Sequence, residues 1–482
     1  MVFSIRPEVQ TLLQQVQVFS LAKKARLFVV GGFLRDLFLK RRKGNPDIDF
    51  CLSRGALVFG RQLAVHLGAG FVVLDAKNKS CRVVKKTGSG IITLDFTDFR
   101  GVDLETDLSH RDFTMNTLAV ALEEVLRESF SSKDCLDCLG AQSDMRSKTV
   151  RMAFARSFDE DPVRIVRAFS MAAIFGFTIE GKTLQAIKKK KKLLVGVSFE
   201  RIRDELFKIL GSPASYQYIK QLDDTGVLSV ILPELDCMRA VAQGPYHHLD
   251  VWKHSLESLK QFDRVCARAS KDVQVQEYLK QPISGERTRK ALIGLAMLLH
   301  DIGKPGTKRR TKGKTVFRGH ERLGRDMSRD IARKLKLSND EVYALSGMVF
   351  WHLRPGYLGD FKKVTPRAAF RYFRDTADEA ASTLLLSLAD QRATRGPLST
   401  VASSKQHERI CSGLLKEFFR RKNTTELPRL LDGNEVMRIF KLRPSELVGK
   451  VLRQVHELQA IGTIKTKEEA ISAAAKVVKK GN

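Results

Sequence analysis

The stretch Leu27 to Phe50, LFVVGGFLRDLFLKRRKGNPDIDF, constrains this chain more than any other. An apolar run, Leu27 to Val30, opens onto Gly31-Gly32. A helix-like segment, Phe33 to Lys40, follows with Arg35 near its start, and Asp47-Ile48-Asp49 closes the stretch. On a strand, residues two apart point to the same side, so Asp47 and Asp49 aim both carboxylates at one spot. An oxygen-only pair of this kind suits Mg²⁺, which keeps several waters and takes further oxygens from substrate phosphates. The two glycines let backbone approach a triphosphate closely, because no Cβ intervenes. Taken alone, the same fragment is also a Gly-Gly turn beside a solvated strand edge.

The chain around it has 482 residues, enough for three or more domains, each with its own core. Its 84 Lys and Arg against 54 Asp and Glu leave a formal net charge of +30. Such a field attracts polyanions, of which nucleic acid is the commonest in solution and an anionic membrane surface the competitor. No apolar run approaches the roughly 20 residues needed to span a bilayer. The opening MVFSIRPEVQ has no long apolar core before a small-residue cleavage site. The expectation is a cytoplasmic protein without membrane association. Seven cysteines are scattered except for Cys135-Leu136-Asp137-Cys138, which lacks a second pair to complete a zinc site and reads as structural. Reduced thiols fit the cytosol.

Gly31-Gly32-Phe33-Leu34-Arg35-Asp36 followed by Asp47-Ile48-Asp49 resembles the head signature of the class II tRNA nucleotidyltransferase and poly(A) polymerase family, within the polymerase-β-like nucleotidyltransferases. Ser109 to Asn116, SHRDFTMN, resembles the family's ribose-reading motif. Glu160-Asp161-Pro162-Val163-Arg164 with Arg167 resembles its base-reading motif. The resemblance implies that Asp47 and Asp49 hold Mg²⁺, that Gly31, Gly32 and Arg35 take the triphosphate, and that Arg111 and Asp112 meet the ribose. Two departures bear on phosphate contacts: His110-Arg111 stands where the family often has Arg-Arg, and Ser170 where many members carry a further arginine. No stretch after Asp49 matches the arginine-rich signature of bacterial poly(A) polymerases, which favours the tRNA branch.

Gly90 to Phe99, GIITLDFTDF, alternates around Asp95. Beside the Asp47-Asp49 strand, Asp95 would be a third carboxylate and a candidate general base for an attacking hydroxyl; otherwise it is a polar residue facing water on a half-buried strand. From Asp159 to Phe177 the apolar spacing predicts one helix, with Asp161 and Arg164 at i, i+3 on its polar face. Such a pair accepts from an exocyclic amino group and donates to a ring nitrogen, the order that cytosine and adenine both present. Uracil and guanine would leave buried groups unpaired, at about 1–3 kcal/mol each. Lys188 to Lys192 is either a solvated face or a contact for RNA phosphates, and Phe199 to Leu210 is amphipathic and completes a helical neck.

Farther on, Ala291 to Asp301, ALIGLAMLLHD, is an apolar helix delivering a His-Asp pair. With His254, His320, His352 and Asp390 it resembles an HD-superfamily phosphohydrolase. The resemblance implies one divalent metal, of unspecified identity, on His254, His300, Asp301 and Asp390, with His320 and His352 able to hold a second. Histidines of purely structural use are the alternative. Lys304 to Lys314 reads as a basic loop, Leu430 to Ile464 resembles the C-terminal helical segment of bacterial members, and KVVKKGN reads as a frayed tail.

The fold class expected is α+β: a polymerase-β-like nucleotidyltransferase head at 1–145, followed by an all-helical neck at 146–240, an HD domain at 241–400 and a C-terminal helical part at 401–482. The function expected is addition of C and A from CTP and ATP to the 3′ end of tRNA without a nucleic-acid template. Addition of CC only or A only, or poly(A) synthesis, remain alternatives within the same chemistry. From other classes stand an HD phosphohydrolase whose inactive head binds RNA, and a basic RNA-binding scaffold. Oligomeric state is not legible.

Overall fold

The computed structural model describes residues 2–41, 44–88, 90–359, 364–422 and 428–481. The chain folds into two compact units, one comprising Met1–Glu205 and Gln221–Ile231, the other Leu206–Lys220 and Leu232–Asn482.

In the first unit Pro7, whose missing N–H costs nothing in a first helical turn, starts helix α1, Pro7–Ala22. Its Val9, Leu12, Leu13, Val16 and Phe19 are buried at helical spacing. Strand β1 (Phe28–Val30) leads through Gly31 into α2 (Gly32–Phe38), and β2 (Asp47–Leu52) into α3 (Ala56–Leu67). The hairpins of β3 (Gly70–Asp75), β4 (Ser80–Thr87) and β5 (Gly90–Asp98) follow, and later β6 (Ala119–Ala121). The sheet runs β3-β4-β5-β2-β1-β6, with β2 and β5 parallel and the other neighbours antiparallel.

One face of this sheet is core and the other chemistry. Ile48, Phe50, Leu94, Phe96 and Val83 are buried on the first, where Phe50 and Phe96 stack with ring centroids 4.9 Å apart. Helix α3 covers them, with Phe59 against Phe96 and Phe19 of α1 against Phe59. The alternate residues Asp47, Asp49 and Asp95 project from the opposite face.

The sequence expectation of one helix from Asp159 to Phe177 needs correcting. A short helix α4 (Ser157–Glu160) ends at Asp161, whose backbone is extended (φ −146°, ψ 93°), and α5 (Arg164–Phe175) begins after Pro162. Proline disfavours helical backbone in the residue before it, and that local rule overrides the continuous apolar period. Arg164, expected on a polar face, is buried.

The second unit is helical around α6 (Arg289–Leu299), in which every residue from Ala291 to Leu299 is buried. A helix apolar on all sides belongs at the centre of its neighbours, here α8 (Asn339–Trp351), on which α7 (His320–Lys334) packs, and α9 (Ala380–Ala393), together with the earlier helix Val251–Arg268. The basic loop expected at Lys304–Lys314 is instead a helical turn, Lys304–Thr307, and a hairpin pairing Arg309–Thr311 with Lys314–Val316. The last three helices, Gly433–Phe440, Glu446–Ala460 and Lys467–Gly481, share a core of Val436, Val448, Val451, Val455 and Ala470. The tail expected to fray is thus helical as far as Gly481, Asn482 lying outside the described residues. Among the described residues no helix is long and apolar enough to cross a membrane, and all seven cysteines are free thiols.

A Cβ on Gly60 of α3 would collide with the Sγ of Cys81 on β4. Gly60→Ala is therefore expected to destabilise the first unit by about 1–3 kcal/mol through overpacking. Urea unfolding followed by circular dichroism should show a lower midpoint.

Candidate nucleotidyl-transfer site and metal centre

The sheet register sets the first site. Asp49 pairs directly with Asp95 across the parallel β2–β5 contact, and Asp47 with Thr93, whose hydroxyl donates to the Asp47 carboxylate. All three carboxylates expected from sequence thus share one face. Arg82, next across on β4, donates to both oxygens of Asp95 at 2.8 Å. Nothing in the alternation of β5 signals Arg82, because it enters through pairing with another strand. Burial raises the Asp49 carboxyl above its usual range, with Asp95 and Asp47 adding to the shift and Arg111 opposing it. A divalent cation would relieve that crowding.

Beside these carboxylates lies a cleft of about 320 Å³, lined by Gly31, Gly32, Arg35, Asp49, Arg100, Arg111, Asp112, Asn116, Asp161, Arg164 and Arg167. It gathers every nucleotide-binding residue expected from sequence and adds Arg100 and Asn116. Gly31 has φ +75°, and a Cβ there would stand 2.9 Å from Arg111 Nη1 and 3.1 Å from Asp49 Oδ2. A bare backbone is therefore required where cation and anion meet. This contact sets Arg111 beside the Asp49 carboxylate.

Asn116 holds two of the expected residues together. Its Oδ1 accepts from Arg35 Nη1 at 2.6 Å, and its Nδ2 donates to Asp112 Oδ1 at 2.8 Å. Arg35 also donates to Asp36 and lies 4.5 Å from the Phe175 ring centroid. Asp112 is half-buried, and desolvation alone would raise its pKa, yet Arg167 and the bonds from Asn116 and the Phe113 N–H hold it below the usual range. Arg167 in turn donates to Glu205 at 3.2 Å, and the Ser170 hydroxyl donates to the same carboxylate. The serine that departs from the family pattern thus completes a network.

Asp161 and Arg164 line the same cleft but do not bond through their side chains. Asp161 Oδ2 accepts from Arg201 Nη2 at 2.7 Å. Arg164 donates to the Ser157 carbonyl and hydroxyl and to the His110 carbonyl, leaving its Nε buried without a hydrogen-bond partner among the described residues.

The second site lies where α6 ends. Its six expected residues come together in two triads, His254, His300 and Asp390 in one and Asp301, His320 and His352 in the other, with Asp301 also close to the first as the resemblance implies. Asp301 spans both sets, its Oδ2 3.3 Å from His300 Nε2 and its Oδ1 3.5 Å from His320 Nε2 and 3.7 Å from His352 Nε2. His300, His320 and His352 each place Nδ1 within 2.9 Å of the carbonyl three residues earlier. That bond fixes the tautomer with Nε2 bare. His320 and His352 then face each other through Nε2 at 3.3 Å, and His300 Nε2 is buried without a hydrogen-bond partner. Lone pairs so arranged fit a cation. Imidazoles with carboxylates suit first-row divalent metals.

Charge agrees. Burial opposes ionisation of Asp301, yet Lys304, His300 and His320 hold its pKa well below the usual range, while burial and His300 push the His352 imidazole down to about 3. Lys304 Nζ lies 2.7 Å from Asp301 Oδ2 and 2.6 Å from Gln243 Oε1. His247 packs edge-on against His254 with centroids 4.6 Å apart. Lys304 was legible in principle, three residues beyond Asp301 on a helical turn; Gln243 was not.

Three family models match the chain. The poly A polymerase head domain family matches residues 27–151, the family described as the probable RNA and SrmB-binding site of polymerase A residues 176–238, and the HD domain family residues 251–394. An A-adding tRNA nucleotidyltransferase of Deinococcus radiodurans is 32% identical over 453 residues, covering 92% of this chain and 93% of that one. The chain belongs to the tRNA nucleotidyltransferase and poly(A) polymerase family. Another similar member is a CC-adding tRNA nucleotidyltransferase of Thermus thermophilus, 28% identical over 452 residues and 92% of each chain. The Thermotoga maritima CCA-adding enzyme, solved in complex with tRNA, has the same fold: TM-score 0.62 at 19% identity over 100% of both chains.

The purified protein is expected to retain about two equivalents of a first-row divalent metal. His352→Ala should lose about one and Asp301→Ala both. Elemental analysis after desalting reads the outcome.

Proposed function

We propose that the chain is a template-independent tRNA nucleotidyltransferase that adds C and A to the tRNA 3′ end. The observation that carries this reading is the alignment of Asp47, Asp49 and Asp95 beside a cleft that also holds Asp161 and Arg164. The functional division follows the chain: head 1–145, neck 146–240, HD domain 241–400, C-terminal part 401–482. In the reaction a hydroxyl oxygen of the terminal ribose bonds to the α-phosphorus of CTP or ATP. The bond from that phosphorus to the β-phosphate oxygen breaks, pyrophosphate leaves, and the hydroxyl proton passes to a base or to solvent.

Asp47 and Asp49 hold Mg²⁺, which when bound lowers the hydroxyl's pKa and offsets charge on the phosphoryl oxygens. Gly31 and Gly32 admit the triphosphate, and Arg35 and Arg111 donate to it. Asp112 accepts from the ribose. Asp95 fixes Arg82 against the carboxylate row, and it can act as a base only when that pair opens. Asp161 accepts from the base's amino group through the oxygen that Arg201 does not hold, and Arg164 donates to the ring nitrogen. Arg167 holds Asp112 in place.

A specific observation favours a narrower second reading, addition of the terminal A alone: the Deinococcus radiodurans relative, matched over 92% of the chain, carries the name A-adding. At the HD centre, His254, His300, Asp390, Asp301, His320 and His352 would hold the metals of a phosphohydrolase, for which 2′,3′-cyclic and 2′-phosphate ends of RNA are the substrates to assay.

Incubating tRNAs that end before the first C, the second C and the A with each triphosphate separates full CCA, CC-only and A-only addition. Polyadenylation of unstructured RNA would instead mark a poly(A) polymerase. Asp47→Ala or Asp49→Ala should abolish addition while tRNA binding stays near wild type, since carboxylates serve the cations and the basic surface the RNA. Asp161→Ala should admit UTP and GTP, with discrimination in kcat/KM falling about 5- to 150-fold per lost hydrogen bond. An equal loss for all four nucleotides would make Asp161 a structural residue.

A further inference from the structure

A second cavity, of about 420 Å³, opens at the same carboxylate row but shares no lining residue with the nucleotide cleft. Its walls are the outer side of α2 and the segment ahead of α1, and its floor reaches Asp47. The N-terminal segment is fastened there by backbone pairing. Val2 bridges to Ser131 and the Phe3 N–H donates to the Phe130 carbonyl, while Phe3 and Phe130 pack edge-on at 5.0 Å. Arg6 donates to the Gly44 carbonyl at 3.1 Å. The cavity is therefore built into the resting fold.

Its surface mixes apolar residues with the charged Arg6, Asp36, Arg41 and Asp47. Phe33 and Leu37 of α2 are half-buried and Val2 is 67% exposed, so the wall is apolar yet open to solvent. Lys40 follows on the rim, exposed, its ammonium without an ion pair or hydrogen bond among the described residues. An apolar wall beside an unpaired cation fits a nucleobase with its phosphate, stacking being tolerant of sequence where hydrogen-bond readout is not. A volume of this size lies within the range that small ligands fill.

Position decides which nucleotide. Asp49 lines the nucleotide cleft and Asp47 lines this cavity. Two residues apart on a strand, they are separated by about 7 Å. In a two-metal displacement the attacking and leaving oxygens flank ions about 4 Å apart, so the two substrates must approach such a row from either side. The cleft on the Asp49 side holds the base-edge readers and the arginines that a triphosphate needs.

Resting on the transfer reading above, we infer that the cavity at Asp47 receives the 3′-terminal nucleotide of the acceptor RNA, its base against Phe33 and Leu37 and its phosphate at Lys40. The assignment gives the N-terminal segment a part in holding RNA that none of its residue types announces.

The test uses the full chain and an acceptor-stem RNA ending one nucleotide short. Leu37→Ala and Lys40→Glu should each raise KM for the RNA about 5-fold or more while KM for ATP or CTP stays within about twofold. Because Lys40 is exposed, its variant is free of the packing changes that Leu37→Ala could bring. With 4-thiouridine as the RNA's last nucleotide, photocrosslinks should map to residues 2–9 or 33–40, and with 8-azido-ATP they should not. Unchanged RNA KM in both variants, or thiouridine crosslinks confined to other segments, would overturn the assignment. Failure of the wild type to extend any RNA overturns the transfer reading itself, and crosslinking then judges the cavity alone.

Discussion

The parallel pairing of β2 with β5 is the constraint on which the head depends. Antiparallel neighbours can be joined by a tight turn, but parallel ones need a crossover, here supplied by α3 and the β3–β4 hairpin. Its helix α3 lies on the apolar face of the sheet, where Phe59 packs on Phe96. The opposite face is left for charge. A one-residue slip between β2 and β5 would break the alignment of Asp49 with Asp95. The stacked Phe50 and Phe96, paired directly in the ladder, oppose such a slip. The core on one side thereby fixes the register of carboxylates on the other.

The metal centre rests on a different device. A helix with no polar side cannot choose an orientation by amphipathicity, so α6 is oriented by what surrounds it, and its last turn carries His300 and Asp301 inward with it. Three imidazoles are then held by carbonyls of their own helices or turns, which costs no partner from elsewhere in the chain. Asp301 is the shared element. Having one oxygen toward each set of ligands, it makes the two halves of the centre interdependent.

Local sequence was sufficient for what local rules control. The strand, Gly-Gly turn and helix from Leu27 to Phe38, the alternation of Asp47, Asp49 and Asp95, and the His-Asp pair at the end of an apolar helix could all be read directly. What could not be read enters through long-range pairing: Arg82 across the sheet, Asn116 between Arg35 and Asp112, Arg201 on Asp161, and Asp301 between two ligand sets. The broken helix at Asp161 is a different failure. Its signal, the proline at 162, was present in the sequence but outweighed by a convincing apolar period, although proline acts on backbone geometry whatever the periodicity.

That break has a consequence for how a protein can measure a base. On one continuous helix, Asp161 and Arg164 would be spaced by the helical rise, a fixed ruler. Instead Asp161 sits on extended backbone with its side chain tethered to Arg201, and Arg164, whose N–H donates to the Asp161 carbonyl, starts α5 with its side chain tethered to Ser157 and His110. The arrangement resembles a caliper whose jaws share one backbone link and are held by different side-chain partners. Cytosine and adenine carry the same donor and acceptor order at different reaches from the sugar. For the base reading proposed above, the span between the two groups is then set by their side-chain partners and not by a helical rise.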